Sequence, residues 1–337
     1  MTKVATIDTR KVMSLVVAAA MVLATVMALI VPGGVRADTE GSLTGTIYLG
    51  QGVITVDSVS VYTLTDNETT SLTPHTAYHI KVGVSNSNTL DDLTTVTVYV
   101  FYDSDGTYTP GEELVPDAQA THATFTWTNS SQTFAETGPA GTWACDNSSS
   151  VQPTLTAPSG IFEFHITVGD VATQTVNSAK WHIYAVATDG TSPGHNTEQN
   201  LTMQWYGAIT MNTATVQWSS ATPGMVYTAS DSPVSVKYVA NGHYHKKIEA
   251  LSSSWLGATL VDSDSPGQQQ FALQATDSAT LGDAVRLFTS YRDIGESATQ
   301  TTEAGSQDDS NTIWLNTGTP FTTGMYSGAI YYQISNA

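Results

Sequence analysis

The chain has 337 residues, 11 Lys and Arg against 30 Asp and Glu, a formal charge of −19 and only 12% charged residues. About a quarter charged is usual, so the acids are not enriched; the cations are missing. So few cations cannot neutralise a run of phosphates, which excludes nucleic-acid binding, and they exclude polybasic adsorption to anionic lipid. At 40% hydrophobic the chain can bury a core, and its length predicts about two domains.

Residues 1–37 read as an export signal. Lys3, Arg10 and Lys11 precede the uncharged apolar run Val12–Val31; Pro32-Gly33-Gly34 then leads to Val35-Arg36-Ala37, with small residues set for cleavage before Asp38. The run is 20 residues, long enough to span a bilayer, so an uncleaved anchor is the alternative. Either outcome places the remainder outside the cytoplasm, because the positive charges stay inside. That remainder keeps 7 basic and 29 acidic residues, a balance of −22. Cys145 is the single cysteine, so no intrachain disulfide forms and the core alone must hold the fold. Sequons start at Asn67, Asn129, Asn147 and Asn200.

Beyond residue 40 apolar side chains recur with period two, the pattern of half-buried strands. Tyr78, Ile80, Val82 and Val84 alternate with polar neighbours, as do Val96, Val98 and Val100, then Phe162, Phe164, Ile166 and Val168, then Trp181, Ile183 and Ala185. The second half repeats the habit at Val234-Val236-Tyr238, Phe271-Leu273-Ala275 and Tyr326 to Ile334. Turn clusters such as Asp103-Ser104-Asp105-Gly106, Pro223-Gly224 and Asn241-Gly242 separate these runs, and only Leu281–Phe288 suggests a short helix. The expected fold is all-β: two tandem antiparallel β-sandwich modules, 43–205 (immunoglobulin-like) and 213–337, joined through 206–212.

The best candidate site is the stretch from Phe101 to Glu113. Asp103, Asp105 and Glu112 match positions 3, 5 and 12 of a calcium loop, with Gly106 at the sharp turn, although Phe101 stands at position 1. Bound Ca²⁺ is therefore an expectation, with Asp189, Asp91 or Asp92 as further ligands; the alternative is a solvated hairpin turn. His79, His165 and His182 fall on the polar faces of their strands, and His243 and His245 share one face, without a second metal signature. No Gly-x-Ser-x-Gly, His-Glu-x-x-His or Cys-x-x-Cys motif occurs, so the expectation is a protein that is not an enzyme. Trp127 and Trp181 share faces with apolar residues and read as core, whereas Trp143, Trp255 and Tyr331 are the candidates for exposed rings that stack on sugars.

The tail from Gly324 to Asn336 resembles the closing strand of secreted prokaryotic surface proteins built of immunoglobulin-like modules. It is faintly similar to the end of a WxL-type cell-wall-binding domain, with Tyr331 or Tyr332 where that family has tryptophan. The resemblance covers about the last 125 residues and implies display at the cell surface, without catalysis. The expected function is structural, assembly or adhesion work, as in an envelope layer or appendage. Other surface proteins, copies of the chain or an envelope glycan are the expected partners, and the membrane is met only through the N-terminal segment. A glycan-binding module protein is the alternative, and a secreted hydrolase a distant third.

Overall fold

Valine and threonine in alternation set the strands, because β-branched side chains suit a pleated surface with one face buried. In Thr95–Asp103, Val96, Val98 and Val100 are fully buried while Thr95, Thr97 and Tyr99 face outward. The structure, a computed structural model, describes residues 52–114, 120–138, 141–251, 255, 257–295, 297–301 and 307–337. The expected export segment at 1–37 and the expected module start at 43 lie outside the described residues. Within them the fold is all-β, its helical turns being three-residue 3-10 turns.

The first sandwich is built from β1 (Ile54–Thr63), β2 (Ser71–Leu72), β3 (Ala77–Asn86), β4 (Thr95–Asp103), β5 (His122–Thr128), β6 (Thr133–Glu136), β7 (Ala144–Cys145), β8 (Ser159–Thr167), β9 (Lys180–Thr188) and β10 (Gly194–Met203). One sheet has the order β1-β3-β8-β7 and the other β2-β10-β9-β4-β5-β6, antiparallel throughout except for the short β2–β10 pair. Their inner faces share one core, in which Trp127 meets Phe162 with ring centroids 4.7 Å apart and Phe134 meets Phe164 at 4.9 Å. Trp127 and Trp181 are fully buried, as their alternation predicts. Each indole N–H finds an acceptor, Gln152 Oε1 at 2.9 Å and the Thr173 carbonyl at 2.8 Å. A buried donor left unpaired would cost about 1–3 kcal/mol.

The second sandwich follows directly, with β11 (Gly207–Met211), β12 (Thr228–Ala229), β13 (Val234–Ala240), β14 (Tyr244–Ala250), β15 (Thr259–Leu260), β16 (Gln270–Thr276), β17 (Val285–Leu287), β18 (Arg292–Asp293), β19 (Gln307–Thr317) and β20 (Ile330–Asn336). A seven-stranded sheet runs β11-β13-β19-β16-β15, with β12 on β19 and β17 on β16, and β18-β14-β20 makes a three-stranded sheet. Two expectations are corrected here. The connector 206–212 contains β11, which pairs with β13 from Gly207↔Ala240 to Met211↔Val236. Leu281–Phe288 is a 3-10 turn followed by β17, since pairing to β16 supplies hydrogen bonds that so short a helix could not.

Gln51–Ala337 form one compact unit, and Asn241 shows how the two sandwiches are joined. Read in sequence as half of an Asn-Gly turn, it is fully buried. Its Nδ2 donates to the carbonyls of Ala172 at 2.8 Å and Gln204 at 2.9 Å, and its Oδ1 accepts from the Tyr206 N–H at 2.7 Å. The Asn241 carbonyl takes the Gln174 N–H at 2.8 Å, so the side chain and backbone both bind across the junction. Nearby, Gln300 Nε2 donates to the Val171 carbonyl at 2.7 Å.

Candidate functional site

The candidate site grows from the end of β4. Asp103 Oδ1 accepts the Asp105 N–H at 3.0 Å and Asp105 Oδ1 accepts the Thr107 N–H at 2.8 Å, two Asx turns in succession. Gly106 sits between them at φ +77°, and a Cβ there would run into the Ser178 carbonyl, so glycine is required for both conformation and clearance. The chain then folds back over the outer face of the six-stranded sheet. Glu112 accepts the Thr109 N–H at 2.9 Å, and the buried Glu113 accepts the Gly111 N–H at 2.8 Å and the Tyr108 hydroxyl at 3.1 Å.

This geometry does not gather the expected calcium ligands. Asp103, Asp105 and Glu112 each serve the loop's own N–H groups, and among the described residues no group of three or more His, Cys, Asp or Glu side chains stands ready to hold a metal ion. Asp91, Asp92 and Asp189 lie beyond the other end of β4, where Thr95 pairs with Thr188, whereas Asp103 pairs with Lys180. A nine-residue strand at roughly 3.4 Å per residue separates them, so they do not complete the loop.

Covering the sheet changes the histidines. His182 was read as lying on a polar face, yet it is fully buried, because the returning loop roofs the outer face of β4 and β9. Its Nδ1 accepts the Asn200 N–H at 3.4 Å, where β10 breaks register between Glu198 and Leu201 and Asn200 takes φ +66°. A neutral ring that accepts at Nδ1 carries its proton on Nε2, which faces Asp103 Oδ2 at 3.5 Å. Burial pushes the His182 pKa below its ordinary value, against the pull of Asp103. A cavity of about 220 Å³ opens beside this pair, lined by Phe101, Tyr102, Asp103, Ser104, Glu112, Thr121 and His122.

Next to the cavity lies an aromatic cluster that contains no tryptophan. Tyr99 on β4 and Tyr184 on β9 are register partners with centroids 6.2 Å apart. Tyr108 from the loop lies 6.5 Å from Tyr184, and the exposed His195 on β10 lies 5.4 Å from it. The signal was present in the sequence: Tyr99 sits outward between the inward Val98 and Val100, and Tyr184 outward between the inward Ile183 and Ala185. Burial first, and then the Glu113 carboxylate, raise the pKa values of all three phenols, so these rings stay neutral at ordinary pH.

The expected sugar-stacking rings fare differently. Trp143 is 2% exposed, wedged against Phe125 and Trp181 at 6.2 and 5.8 Å, and is corrected to core; its neighbours in the two-residue β7 carry no alternation that would reveal this. Trp255 is half-buried, edge-on to Phe271 at 4.9 Å, with its indole filling the space above Gly328. Tyr331 is 43% exposed on the outward side of β20. Cys145 is half-buried and its thiol is pushed up to about 11, chiefly by burial, so it stays protonated and unreactive.

No protein-family model matches the sequence, so the WxL likeness of the tail gains no support, and no curated protein matches either. Among solved structures the chain is similar to the CupB6 tip adhesin from Pseudomonas aeruginosa, at 9% identity and a TM-score of 0.20, over 84% of this chain and 94% of that one. A likeness that low carries no argument about fold or role.

Proposed function

We propose that the chain is an exported, non-catalytic cell-surface protein that acts through adhesion or assembly, with the outer face of the six-stranded sheet as its contact surface. The aromatic cluster of Tyr99, Tyr108, Tyr184 and His195 beside the cavity carries this reading. Flat rings held on a sheet and its loop give large contact area at little entropic cost, which suits recognition of another surface. One oxygen of Asp103 and one of Glu112 accept N–H groups of their own loop, which favours a scaffold over a reaction site. The leader-like residues 1–37 support export.

Glycan binding is the second reading, favoured by the same rings, because a pyranose face stacks on tyrosine as another ring does. The test is glycan-array binding and size-exclusion chromatography of the full chain beside a Tyr99→Ala, Tyr184→Ala double variant. Self-association or capture of a surface protein, lost in the variant, supports adhesion or assembly. A monomer with selective sugar binding, lost in the variant, replaces it with the second reading. Equal behaviour of both proteins rules out this face.

A further inference from the structure

Strand β14 carries an inward-facing lysine. Tyr244, Ile248 and Ala250 are buried in alternation, and Lys246 occupies the same face between Tyr244 and Ile248. Across the sandwich, β19 points Asp309 inward in series with the buried Asn311, Ile313 and Leu315. Asp277 enters from the end of β16, the strand beside β19. The three side chains meet: Lys246 Nζ lies 2.7 Å from Asp277 Oδ2 and 2.8 Å from Asp309 Oδ2. The Lys246 side chain is 11% exposed, against 20% for Asp309 and 27% for Asp277. The hydroxyls of Tyr238 and Tyr332 are buried nearby without a partner. Gly295, at φ +69°, leaves room for the Asp277 carboxylate that any Cβ would occupy.

As an ion triad this arrangement is costly, since two carboxylates and one ammonium lose water and one negative charge stays uncompensated. Amine and carboxyl held in contact inside a packed core also have an effective concentration far above that of free groups, up to about 10⁵–10⁸ M for well-oriented pairs. We infer that Lys246 and Asp309 condense into an intramolecular amide that ties the three-stranded sheet to the seven-stranded sheet, with Asp277 carrying the protons. Asp309 is the acceptor because it is the more buried carboxyl and its Oδ1 is polarised by the Ser310 N–H at 2.9 Å. Asp277 takes one proton from the ammonium, and the freed Nζ lone pair attacks Cγ of Asp309. The N–C bond forms as one C–O bond breaks. The departing oxygen leaves as water with two of the three ammonium protons, one of them delivered by Asp277. One N–H remains on the amide, Asp277 ends as it began, a carboxylate, and nothing is oxidised or reduced. The product removes one cation and one anion from the core.

Intact-mass and peptide mass spectrometry of the purified full chain test this. The wild-type protein is expected to be lighter than its sequence by one water, about 18 Da, with a protease-resistant link joining the peptides that contain Lys246 and Asp309. Lys246→Arg and Asp309→Ala are expected at full mass, and Asp277→Asn is expected to fold, by circular dichroism, yet to remain unlinked. A wild-type protein at full mass overturns the proposal, as does a link to another residue or an Asp277→Asn protein that links as fast as wild type. The wild-type mass decides the matter even if a variant fails to fold.

Discussion

The Asp103–His182 pair of the first sandwich and the Lys246–Asp277–Asp309 triad of the second lie on opposite sides of their sheets. In the first, Asp103, Glu113, His122 and His182 are buried on the outer face or above it, under the loop that returns from β4, while the inner faces are mainly Val, Ile, Phe and Trp, with Asn86 and Glu136 at strand ends. In the second, Lys246, Asp309 and Asn311 stand on inner faces, in series with Ile and Leu, between the two sheets. An apolar inner face is a plain hydrophobic core, whereas a charged group on an inner face must find its counter-charge across the sandwich. The same period-two pattern therefore encodes two kinds of interior. In the first sandwich the chemistry lies outside the core, beneath the returning loop. In the second it lies inside, where it serves the fold.

The sharpest way to break this comparison is at the junction. Asn241→Ala strands the Tyr206 N–H and the Ala172 and Gln204 carbonyls, a loss of about 2–4 kcal/mol. If each core is self-sufficient, calorimetry of the variant is expected to show two transitions in place of one; a single transition at an unchanged midpoint would mean that Asn241 does not couple them. Smaller effects come from two groups in the first sandwich that titrate in opposite senses. His182 is held neutral by burial, its folded pKa below the ordinary 6.5, so the unfolded chain binds more protons just below that pH. Its contribution is present above the ordinary value and is lost as pH falls towards the folded one. Glu136 is raised from 4.5 to about 7 by burial, so its contribution is present below 4.5 and is lost as pH rises through 7. Each slope is bounded at about 1.4 kcal/mol per pH unit. Urea unfolding across this range is expected to lose the rising slope in His182→Gln and the falling slope in Glu136→Gln; a profile unchanged by both would remove burial as the cause. The smallest expected effect is that of a chelator. With the carboxylates of the loop bound to its own N–H groups, the melting midpoint is expected to stay the same, and a calcium-dependent rise would show the loop opening to take the ion.

Much of the architecture was legible one strand at a time. Val96-Thr97-Val98-Tyr99-Val100 states its own faces, and so does the run from Phe162 to Ile166, because side-chain direction in a strand is set by the backbone alone. The candidate site was half legible. The Asp-Gly turn was found, but Asp103, Asp105 and Glu112 turned out to cap local N–H groups, a competition that residue spacing does not reveal. Trp143 was misplaced because a two-residue strand has no period to read.

By itself, the sequence determined the all-β class, the inward residues of the long strands and the shortage of cations, all of which follow from local periodicity or from counting. Only the tertiary structure decided that a polar face would be roofed and His182 buried, that a turn asparagine would join two sandwiches, and that Lys246 would meet Asp277 and Asp309. These outcomes depend on which strands become neighbours. That is settled by pairing between segments tens of residues apart, and no local pattern records it.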